Sequence, residues 1–444
     1  MGTKTRFAPF PSGGLQLGNT RVAVFNWLAA KCSSGIGGEF ILRFDDTDED
    51  AIIAGSDEQI IEELSWLGLK WDAIYKQSER RDHYKQASDY LKGIGKIYPC
   101  YETREELESQ RADQIRRGLP PRYVRMTSVD NLAKVRAPHW RFMLDDGDFC
   151  WNDQVYGDMR INRSSNSDPI IIREDGSFTY IFCSAVDDMN DGITQVIRGS
   201  DHLMNSGIQS QIILALGGDS SSILWSHLPL LVDENGAKLS KSAGAISISQ
   251  LRGIGYTPMS IISFLFGLGS GESTRIFTSL DDIAQVFAFK NISRANPVCS
   301  IPQLLDMNRH CIASMPYDAL PSMYKEMISE EFWLAIRESI STFVEIKDWM
   351  SICREMSEFE DDGGVCDKDV LPHVAACMPS EAWNADSWRG IISCLHDKSG
   401  IKKSKIAMTL RFLLTGKKHG PPMTDIFPHI NPDIVMFRLR LSSA

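Results

Sequence analysis

One short stretch near the N-terminus constrains the fold more than any other part of the chain. Residues 9–19 read PFPSGGLQLGN. The preceding KTRFAP predicts a strand, and the apolar spacing of Val22, Phe25 and Leu28 predicts a helix that begins near Asn19. Glycines let a ligand approach the backbone, and free N–H groups at a helix start favour an anion such as phosphate. A tight structural turn would use the same residues, and the absence of G-x-x-x-x-G-K-[ST] argues against a P-loop enzyme.

The rest of the first hundred residues continues the alternation of strand and helix. EFILRF predicts a second strand, and SDEQIIEELSWLGL predicts a helix with a capping-type start at Ser56. Strand, helix, strand, helix indicates a parallel sheet, whose ligand sites lie at the carboxyl ends of its strands.

This pattern is interrupted from about Tyr101 to Asp175. That segment holds a charged helical sequence (TREELESQRADQIRRG), a turn at Pro120 and Pro121, and the strand-like HWRFML, and we interpret it as an insertion. Near Thr179 the α/β character returns with TYIFCSAVDD, the strand GITQVIRG and a helix around QSQIILALGG.

The chain becomes almost entirely helical after about Arg252. A break is expected at residues 357–369, where acids and glycines interrupt the helical pattern. The sequence therefore predicts an α/β domain with an insertion, followed by an all-α region.

Composition excludes several classes of protein. No apolar run approaches the roughly 18 residues needed to cross a bilayer, so we expect no membrane partner and a cytoplasmic location. The ten scattered cysteines form no C-x-x-C pair and are interpreted mainly as small buried hydrophobes in a reducing compartment.

The net charge of −11 argues against indiscriminate coating of nucleic acid, but a local basic surface can still contact phosphates. One basic run has no Asp or Glu within it: Lys398, Lys402, Lys403, Lys405, Arg411, Lys417 and Lys418. The run is either a solvated helix face or a phosphate-binding surface.

Three further motifs contain side chains that could bind a ligand. KLSKS, residues 238–242, follows a turn at DENG and offers two lysines to a polyphosphate, although such loops are common on surfaces. LRFDDTD (42–48) and VIRGSDH (196–202) place carboxylates and an arginine at predicted strand ends. Such groups could bind an amino acid, and ordinary loop charge is the alternative.

Taken together and in this order, RFAPFPSGGLQLGNTR, LRFDDTD, VDDMNDGITQVIRGSDH and KLSKS strongly resemble bacterial glutamyl-tRNA synthetases, which are class I aminoacyl-tRNA synthetases. WLGLKWD, YPCYET, RRGLPPRY, PHWRF and SDPIIIREDGS support the resemblance, and LRFLLTG followed by His419 and Gly420 extends it to the C-terminal region. The resemblance covers essentially the whole chain.

The resemblance implies a Rossmann-like catalytic domain in two halves, an acceptor-binding insertion, and an all-α anticodon-binding region. The expected boundaries are 1–100 and 179–252 for the catalytic halves, 101–178 for the insertion, 253–320 for a helical junction, and 321–444 for the anticodon-binding region.

The implied reaction is ATP-dependent attachment of L-glutamate to tRNA(Glu) through a glutamyl-adenylate, with Mg²⁺ accompanying ATP. The implied partners are L-glutamate and tRNA(Glu), with tRNA(Gln) as the alternative tRNA, and the family suggests a monomer. By similarity, the glutamate site contains Arg6, Ala8, Phe10, Asp45, Tyr180, Ser184 and Arg198. The arginines would bind carboxylates, and Asp45 would take the ammonium.

By the same resemblance, ATP contacts Pro9, Gly13, Gln16, Gly18, Asn19, Lys238, Leu239, Ser240, Lys241 and Ser242. Gln16, Lys238 and Lys241 would act on the phosphates, with Lys241 nearest the triphosphate. Lys402, Lys403, Lys405 and Arg411 of the basic run are the expected tRNA contacts.

The sequence departs from the family pattern at two places that bear on function. Phe10 stands where the family has serine, and Gln16 where it has histidine, so a tRNA-binding paralogue with impaired catalysis is an alternative. Five suitable residues argue against decay: Arg6, Asp45, Arg198, Lys238 and Lys241. Some relatives hold zinc in the insertion, but Cys100 stands alone after Tyr98, and tetrahedral zinc needs four ligands. We therefore expect no zinc.

Overall fold

The computed structural model describes residues 2–32, 37–119, 121–123, 136–162, 166–239, 246–272, 275–356, 369–379 and 383–441. The chain divides into two compact units. The catalytic unit, as we name it, comprises Met1–Gln250 with Ile262–Ser300, and the helical unit comprises Leu251–Ile261 with Ile301–Ala444.

The N-terminal part of the catalytic unit is a parallel α/β layer, as expected. Its elements are β1 (Lys4–Phe7), α1 (Leu17–Lys31), β2 (Glu39–Phe44), α2 (Ser56–Trp66) and β3 (Ala73–Lys76). The strands pair in the order β1-β2-β3, with Arg6 opposite Ile41 and Leu42 opposite Ile74. Helix α1 begins at Leu17, two residues before the predicted start.

The predicted cap of α2 is wrong in detail. Ser56 is the first helical residue, and Gly55 precedes it as the N-cap with φ of 79° and no side-chain cap. Asp57 and Glu58 lie in the first turn, where carboxylates are stabilised by the helix dipole. The acidic first turn therefore supplies the N-terminal stabilisation that a serine cap would otherwise provide.

The next segment mixes antiparallel and parallel strand pairing, and its part after Cys100 covers the predicted insertion, whose boundaries remain a prediction. It contains α3 (Arg81–Gly93), β4 (Ile97–Cys100), α4 (Arg104–Arg116), β5 (His139–Phe142), β6 (Asp148–Asp153), β7 (Gly157–Asn162) and β8 (Ile170–Ile172). Strands β4, β5 and β8 form an antiparallel sheet. Thr103 and Glu106 cap α4 reciprocally. Pro120, of the predicted turn, lies outside the described residues.

The α/β pattern resumes with α5 (Tyr180–Asn190), β9 (Gln195–Gly199), α6 (Leu203–Ala215) and β10 (Leu224–Leu228), which confirms the predicted elements. Strand β10 runs parallel to both β9 and β6. The residue before β9 also meets β1, because Thr194 N donates to Lys4 O over 3.0 Å. The carboxyl ends of β1, β2, β9 and β10 therefore open toward the same side of the unit.

The core of the catalytic unit surrounds α5 and the neighbouring strands. Ile41, Phe142, Phe182, Val196 and Trp225 belong to one buried cluster. Burial of side chains of this size stabilises a fold by roughly 1.5–3 kcal/mol each. This packing fixes the strands whose ends carry the polar residues described below.

After β10 every regular element of the described residues is helical, as predicted. The helices are α7 (Ile248–Ile254), α8 (Pro258–Gly267), α9 (Leu280–Val286), α10 (Ile301–Ser314), α11 (Ser322–Lys325), α12 (Glu330–Ile336), α13 (Glu345–Arg354), α14 (Leu371–Val374), α15 (Ala385–Ser399), α16 (Lys403–Thr415), α17 (Met423–Ile426) and α18 (Pro432–Leu441). Trp333, Trp388 and Phe427 lie in the core of the helical unit. Among the described helices, none has the length and apolarity required to cross a membrane.

The expectation for the cysteines is correct in part. Cys183 and Cys353 are buried and free, but Cys150 is exposed. Cys377 and Cys394 form a disulfide, which joins α15 to the turn before it. The two residues are 17 positions apart, so no sequence motif marks them as a pair.

Candidate active site

A cavity of about 620 Å³ lies at the carboxyl ends of the parallel strands and the N-terminus of α1. It gathers most of the residues expected from the sequence. Those that line it are Arg6, Ala8, Pro9, Phe10, Gly18, Asn19, Asp45, Tyr180, Arg198, Lys238 and Leu239. Gly13, Gln16 and Ser184 are not among the lining residues.

One side of the cavity rests on a buried cluster of arginines and aspartates. Arg43, which is 0% exposed, contacts Asp45 through Nε and Oδ1 at 2.7 Å, and Asp188 through Nη1 and Oδ1 at 2.7 Å. Arg6 Nε lies 3.0 Å from the same Asp188 oxygen. These two arginines are therefore neutralised inside the protein, and Arg6 reaches the cavity already bound to a carboxylate.

Asp45 combines burial with access to the cavity. Burial raises its pKa to about 6, and the adjacent Arg43 limits the increase. Ser184 is fully buried behind it and lies between Asp45 Oδ2, at 3.3 Å, and Arg43 Nη2, at 3.2 Å. Ser184 therefore contacts Asp45, which lines the cavity, rather than the cavity itself, which the sequence did not indicate.

Arg198 is also buried, but its environment differs from that of Arg6 and Arg43, which contact carboxylates. Its Nη2 donates to Ser206 Oγ at 2.6 Å, its Nη1 to the Tyr180 hydroxyl at 3.3 Å, and its Nε to His227 Nε2 at 3.3 Å. No carboxylate of the described residues lies within ion-pair distance of it. Burial lowers the pKa of Arg198, although a guanidinium stays charged at neutral pH. The cavity therefore contains a positive charge that a ligand could neutralise.

In the glycine-rich stretch, some glycines are required by the backbone, and another has free space beside it. Gly13 has φ of 118°, and a Cβ on Gly14 would lie 2.2 Å from Gln59 Nε2. Gly13 is required by its backbone conformation, and Gly14 by the close contact with α2, where Glu63 also accepts from Leu15 N. A Cβ on Gly18 would meet nothing within 4 Å. Gly18 lies in the first turn of α1, whose free N–H groups favour an anion.

Gln16 occupies the N-cap of α1 but makes no capping hydrogen bond with its side chain. Its carbonyl accepts from Thr20 N at 2.9 Å, and its backbone bridges to Ser247. Phe10 is half-buried and lines the same cavity as the other residues that are expected to bind the substrate glutamate. The backbone of Gln16 is therefore fixed, while its side chain has no role in the helix cap.

The KLSKS motif is described only in part. Lys238 Nζ pairs with Asp201 Oδ2 at 2.9 Å, and both residues line the cavity. Leu239 N donates to Leu231 O at 3.1 Å. Ser240, Lys241 and Ser242 lie outside the described residues, so their expected roles remain predictions.

Sequence reasoning missed several residues around the cavity. Arg43 belongs to the LRFDDTD motif, and Asp188 to VDDMNDG, but their contact spans 145 residues and no local signal predicts it. Arg21 also lines the cavity, and burial lowers its pKa to about 10. It donates to the carbonyls of Pro229 and Leu268 at 2.9 and 2.8 Å.

Among the described residues, one set of side chains in and beside the predicted insertion could hold a metal. Donor atoms of Cys100, Glu102 and His139 lie within 4.8 Å of one another, and all three residues are buried. The Tyr123 hydroxyl contacts Cys100 Sγ at 3.2 Å and donates to Glu102 Oε1 at 2.9 Å. Three donors are one fewer than a tetrahedral zinc site uses. The expected absence of zinc therefore remains a prediction.

The four residues expected to contact tRNA differ in their surroundings. Lys402, Lys403 and Lys405 are exposed, at the start of α16. Arg411 is half-buried, and its Nη2 donates to Pro421 O at 2.6 Å. Arg411 thus has a carbonyl partner and is half-buried, whereas the three lysines are exposed, with Lys403 Nζ donating to Ser393 Oγ at 3.0 Å.

Comparison with known proteins identifies the class. Residues 3–306 match the family model described as "tRNA synthetases class I (E and Q), catalytic domain", and residues 312–442 match an "Anticodon binding domain". The chain therefore belongs to the class I tRNA synthetases (E and Q). This confirms the expected α/β catalytic domain followed by an all-α region.

Individual relatives cover the whole chain. It is 37% identical to "Glutamate--tRNA ligase 2" of Gluconacetobacter diazotrophicus, over 99% of this chain and 100% of that protein. It is 38% identical to a protein of the same description from Hyphomonas neptunium, over 98% of each chain. The crystal structure of glutamate-tRNA synthetase from Elizabethkingia anophelis matches with a TM-score of 0.81 and 25% identity, over 100% of both chains.

Proposed function

We propose that this protein attaches L-glutamate to tRNA(Glu) in two steps that consume ATP. In the first step a carboxylate oxygen of glutamate attacks the α-phosphorus of ATP, and diphosphate leaves. In the second step a ribose hydroxyl at the 3′ end of the tRNA attacks the glutamyl carbonyl, and AMP leaves. Family membership and the full-length relatives described as glutamate–tRNA ligases support this reaction.

The observation that carries the proposal is the charge balance of the cavity. Arg198 is buried without a carboxylate partner among the described residues, so an acidic side chain of the substrate would neutralise it. Asp45 lines the same cavity and is suited to the substrate ammonium. Glutamine would leave the buried guanidinium facing a neutral amide, and unpaired groups of this kind discriminate strongly between substrates.

The opposite end of the cavity suits ATP. The N–H groups at the start of α1, near Gly18 and Asn19, favour phosphate oxygens, and Lys238 lines the cavity in an exposed ion pair with Asp201 that a phosphate can displace. The attacking carboxylate is ionised at neutral pH, so the first step needs no activated nucleophile. The enzyme instead has to position the reactants and stabilise charge, and Mg²⁺ bound with ATP would supply further charge stabilisation.

Gln16 is compatible with a working site. Its side-chain amide can donate to a phosphate oxygen, as a histidine can, and it does not titrate. Its side chain makes no capping bond in α1, but Gln16 is not among the residues that line the cavity, so this role requires the amide to reach the phosphates in the ATP complex. Gln16→Ala should slow the first step by roughly 10- to 1000-fold if the amide stabilises developing charge. A rate equal to that of the unaltered protein would favour the alternative of a tRNA-binding paralogue with impaired catalysis.

The test is aminoacylation by the purified full-length protein. Glutamate with purified tRNA(Glu) should be charged, glutamine should not, and tRNA(Gln) is assayed in parallel to establish tRNA preference. Lys241→Ala should lower the single-turnover rate by roughly 10²–10³-fold, the scale for losing one oriented charge-stabilising donor. Absence of charging with every combination would overturn the proposed reaction.

A further inference from the structure

Three buried side chains next to Arg198 form a hydrogen-bonded series that the resemblance did not indicate. His227, on β10, is 0% exposed, and its Nε2 lies 2.9 Å from Ser206 Oγ and 3.3 Å from Arg198 Nε. Ser206, at the start of α6, is also 0% exposed and accepts from Arg198 Nη2. Two of the three described hydrogen bonds of the guanidinium are therefore made to this pair.

Asp153 completes the series on the far side of the imidazole. Its Oδ2 lies 2.6 Å from His227 Nδ1, and the residue is 1% exposed. Its other oxygen, Oδ1, accepts from the backbone N–H groups of Val155 and Tyr156, each at 2.9 Å. The parallel pairing of β6 with β10 brings the two side chains together. The carboxylate is therefore held by the backbone with one specific oxygen facing the ring.

This geometry selects one tautomer of His227. An ionised carboxylate only accepts hydrogen bonds, so Nδ1 must carry the ring proton that Asp153 Oδ2 accepts. Nε2 then presents a lone pair to the Ser206 hydroxyl and to the Arg198 Nε–H. Burial lowers the pKa of His227, which agrees with a neutral ring. In the other tautomer, Nε2–H and Nε–H would face each other as two donors.

We propose that Asp153, His227 and Ser206 are positioning residues that hold Arg198 for the substrate carboxylate. Asp153 fixes the tautomer of His227, and His227 and Ser206 fix the plane of the guanidinium. A guanidinium has five N–H donors, and the described residues bind three of them. The other two remain for a ligand in the cavity. This inference rests on the proposed function, in which Arg198 binds glutamate.

We call the hydrogen-bonded series Asp153, His227 and Ser206 the relay. The variant that tests it is Asp153→Asn. The amide oxygen can keep the two backbone hydrogen bonds at Oδ1, so the NH₂ group must take the place of Oδ2. His227 then has to accept at Nδ1, and its proton moves to Nε2, toward Arg198. We expect the KM for glutamate to rise by about 10- to 100-fold, as for loss of a hydrogen bond to a charged group, with the KM for ATP unchanged.

A matched control is Asp168→Asn. Asp168 is also buried, accepts a backbone bond from Leu144 N at 3.0 Å and the Tyr98 hydroxyl at 2.7 Å, and has no described contact with Arg198. It should leave both KM values unchanged. A structural role alone would make Asp153→Asn resemble this control in substrate kinetics, whatever its effect on the unfolding midpoint.

Arg198→Met separates failure of the relay from failure of the proposed function. If Arg198→Met leaves the glutamate KM unchanged, Arg198 does not bind glutamate and the proposed function of the cavity fails with the relay. If Arg198→Met raises that KM while Asp153→Asn behaves like the control, only the relay is wrong. When both raise it, Asp153→Asn should add nothing in the Arg198→Met background, because the two changes disable the same interaction.

Two further measurements keep the inference testable if Asp153→Asn does not fold. Nitrogen-15 spectra of labelled histidine, with His227 assigned through His227→Gln, should show Nδ1 protonated and Nε2 unprotonated in the unaltered protein. The opposite tautomer would overturn the relay. Ser206→Ala removes only a hydroxyl and should raise the glutamate KM by about 10-fold. An unchanged KM in this variant would also overturn it.

Discussion

Two buried arginines of the catalytic unit differ in what surrounds them. Arg43 is 0% exposed and contacts carboxylate oxygens of Asp45 and Asp188, each at 2.7 Å. Arg198 is 5% exposed, its described hydrogen-bond partners are a phenol, a serine hydroxyl and an imidazole, and the Trp225 ring lies 5.5 Å from its Cζ. Both lie near the carboxyl ends of parallel strands, yet only Arg43 is neutralised by the protein.

The difference separates a structural charge from a binding charge. Removing one partner of a buried ion pair strongly destabilises a protein, because the other charge remains uncompensated. A buried cation without a counter-charge already carries that penalty in the empty protein, and an anionic ligand relieves it. Arg43 should therefore be essential for stability, and Arg198 for substrate affinity. The following predictions test this division.

The largest expected effect is on stability at Arg43. Arg43→Met keeps much of the side-chain volume but leaves Asp45 and Asp188 without their shared cation. We expect the free energy of unfolding to fall by about 3–5 kcal/mol, measured by urea denaturation. Arg198→Met is the matched control, since it introduces the same residue at a similarly buried site. Equal destabilisation by the two variants would remove the distinction.

The converse effect is expected on catalysis at Arg198. Arg198→Met should change the unfolding free energy by about 1 kcal/mol or less, because Ser206 and His227 can still bond to each other. The KM for glutamate should rise by about 10²–10³-fold, with the KM for ATP unchanged. Parallel increases in both KM values would mean that the whole site, rather than one substrate contact, is damaged.

The pKa of Asp45 sharpens the comparison, because this residue contacts Arg43 and also lines the cavity. Its pKa is raised to about 6, so lowering the pH through 6 protonates it and removes the proposed partner of the substrate ammonium. We expect kcat/KM for glutamate to fall by about tenfold per pH unit below 6. An ordinary aspartate would lose its charge only near pH 4. Asp45→Asn should show low activity without this pH dependence.

The smallest effect concerns the basic run of the helical unit, where the same distinction applies. Lys402 and Lys403 are exposed, whereas Arg411 is half-buried and bound to a carbonyl. Charge reversal at Lys402 and Lys403 should weaken tRNA binding and flatten its salt dependence by roughly one unit of slope per lost phosphate contact. Arg411→Ala should alter stability more than slope. An unchanged slope in the lysine variants would indicate a solvated face.

Much of the catalytic unit could be predicted because its elements follow local rules. Local patterns predicted β1, α1, β2 and α2, the motifs placed Asp45 and Arg198 at strand ends, and the resemblance added Arg6; all three residues line the cavity. Sequence position alone could not predict which buried arginine is neutralised, since that depends on partners such as Asp188, 145 residues from Arg43.

The relay and the disulfide were missed for the same physical reason. Asp153, His227 and Ser206 lie on three separate elements and share no spacing, and Cys377 and Cys394 are 17 residues apart. Arg411 was grouped with the basic run because charge, unlike burial, can be read from the sequence. Side chains that meet only in the folded chain leave no local pattern.

The hydrogen bonds between Lys4 and Thr194 link positions 190 residues apart, and this separation has a consequence for synthesis. At about 5–20 residues per second, the ribosome produces Lys4 roughly 10–40 s before Thr194. Through that interval β1 exists without β9 beside it, while the three-stranded sheet that begins with β1 can already form. The residues of the candidate active site, which require β1, β2, β9 and β10, can come together only after the insertion has been translated.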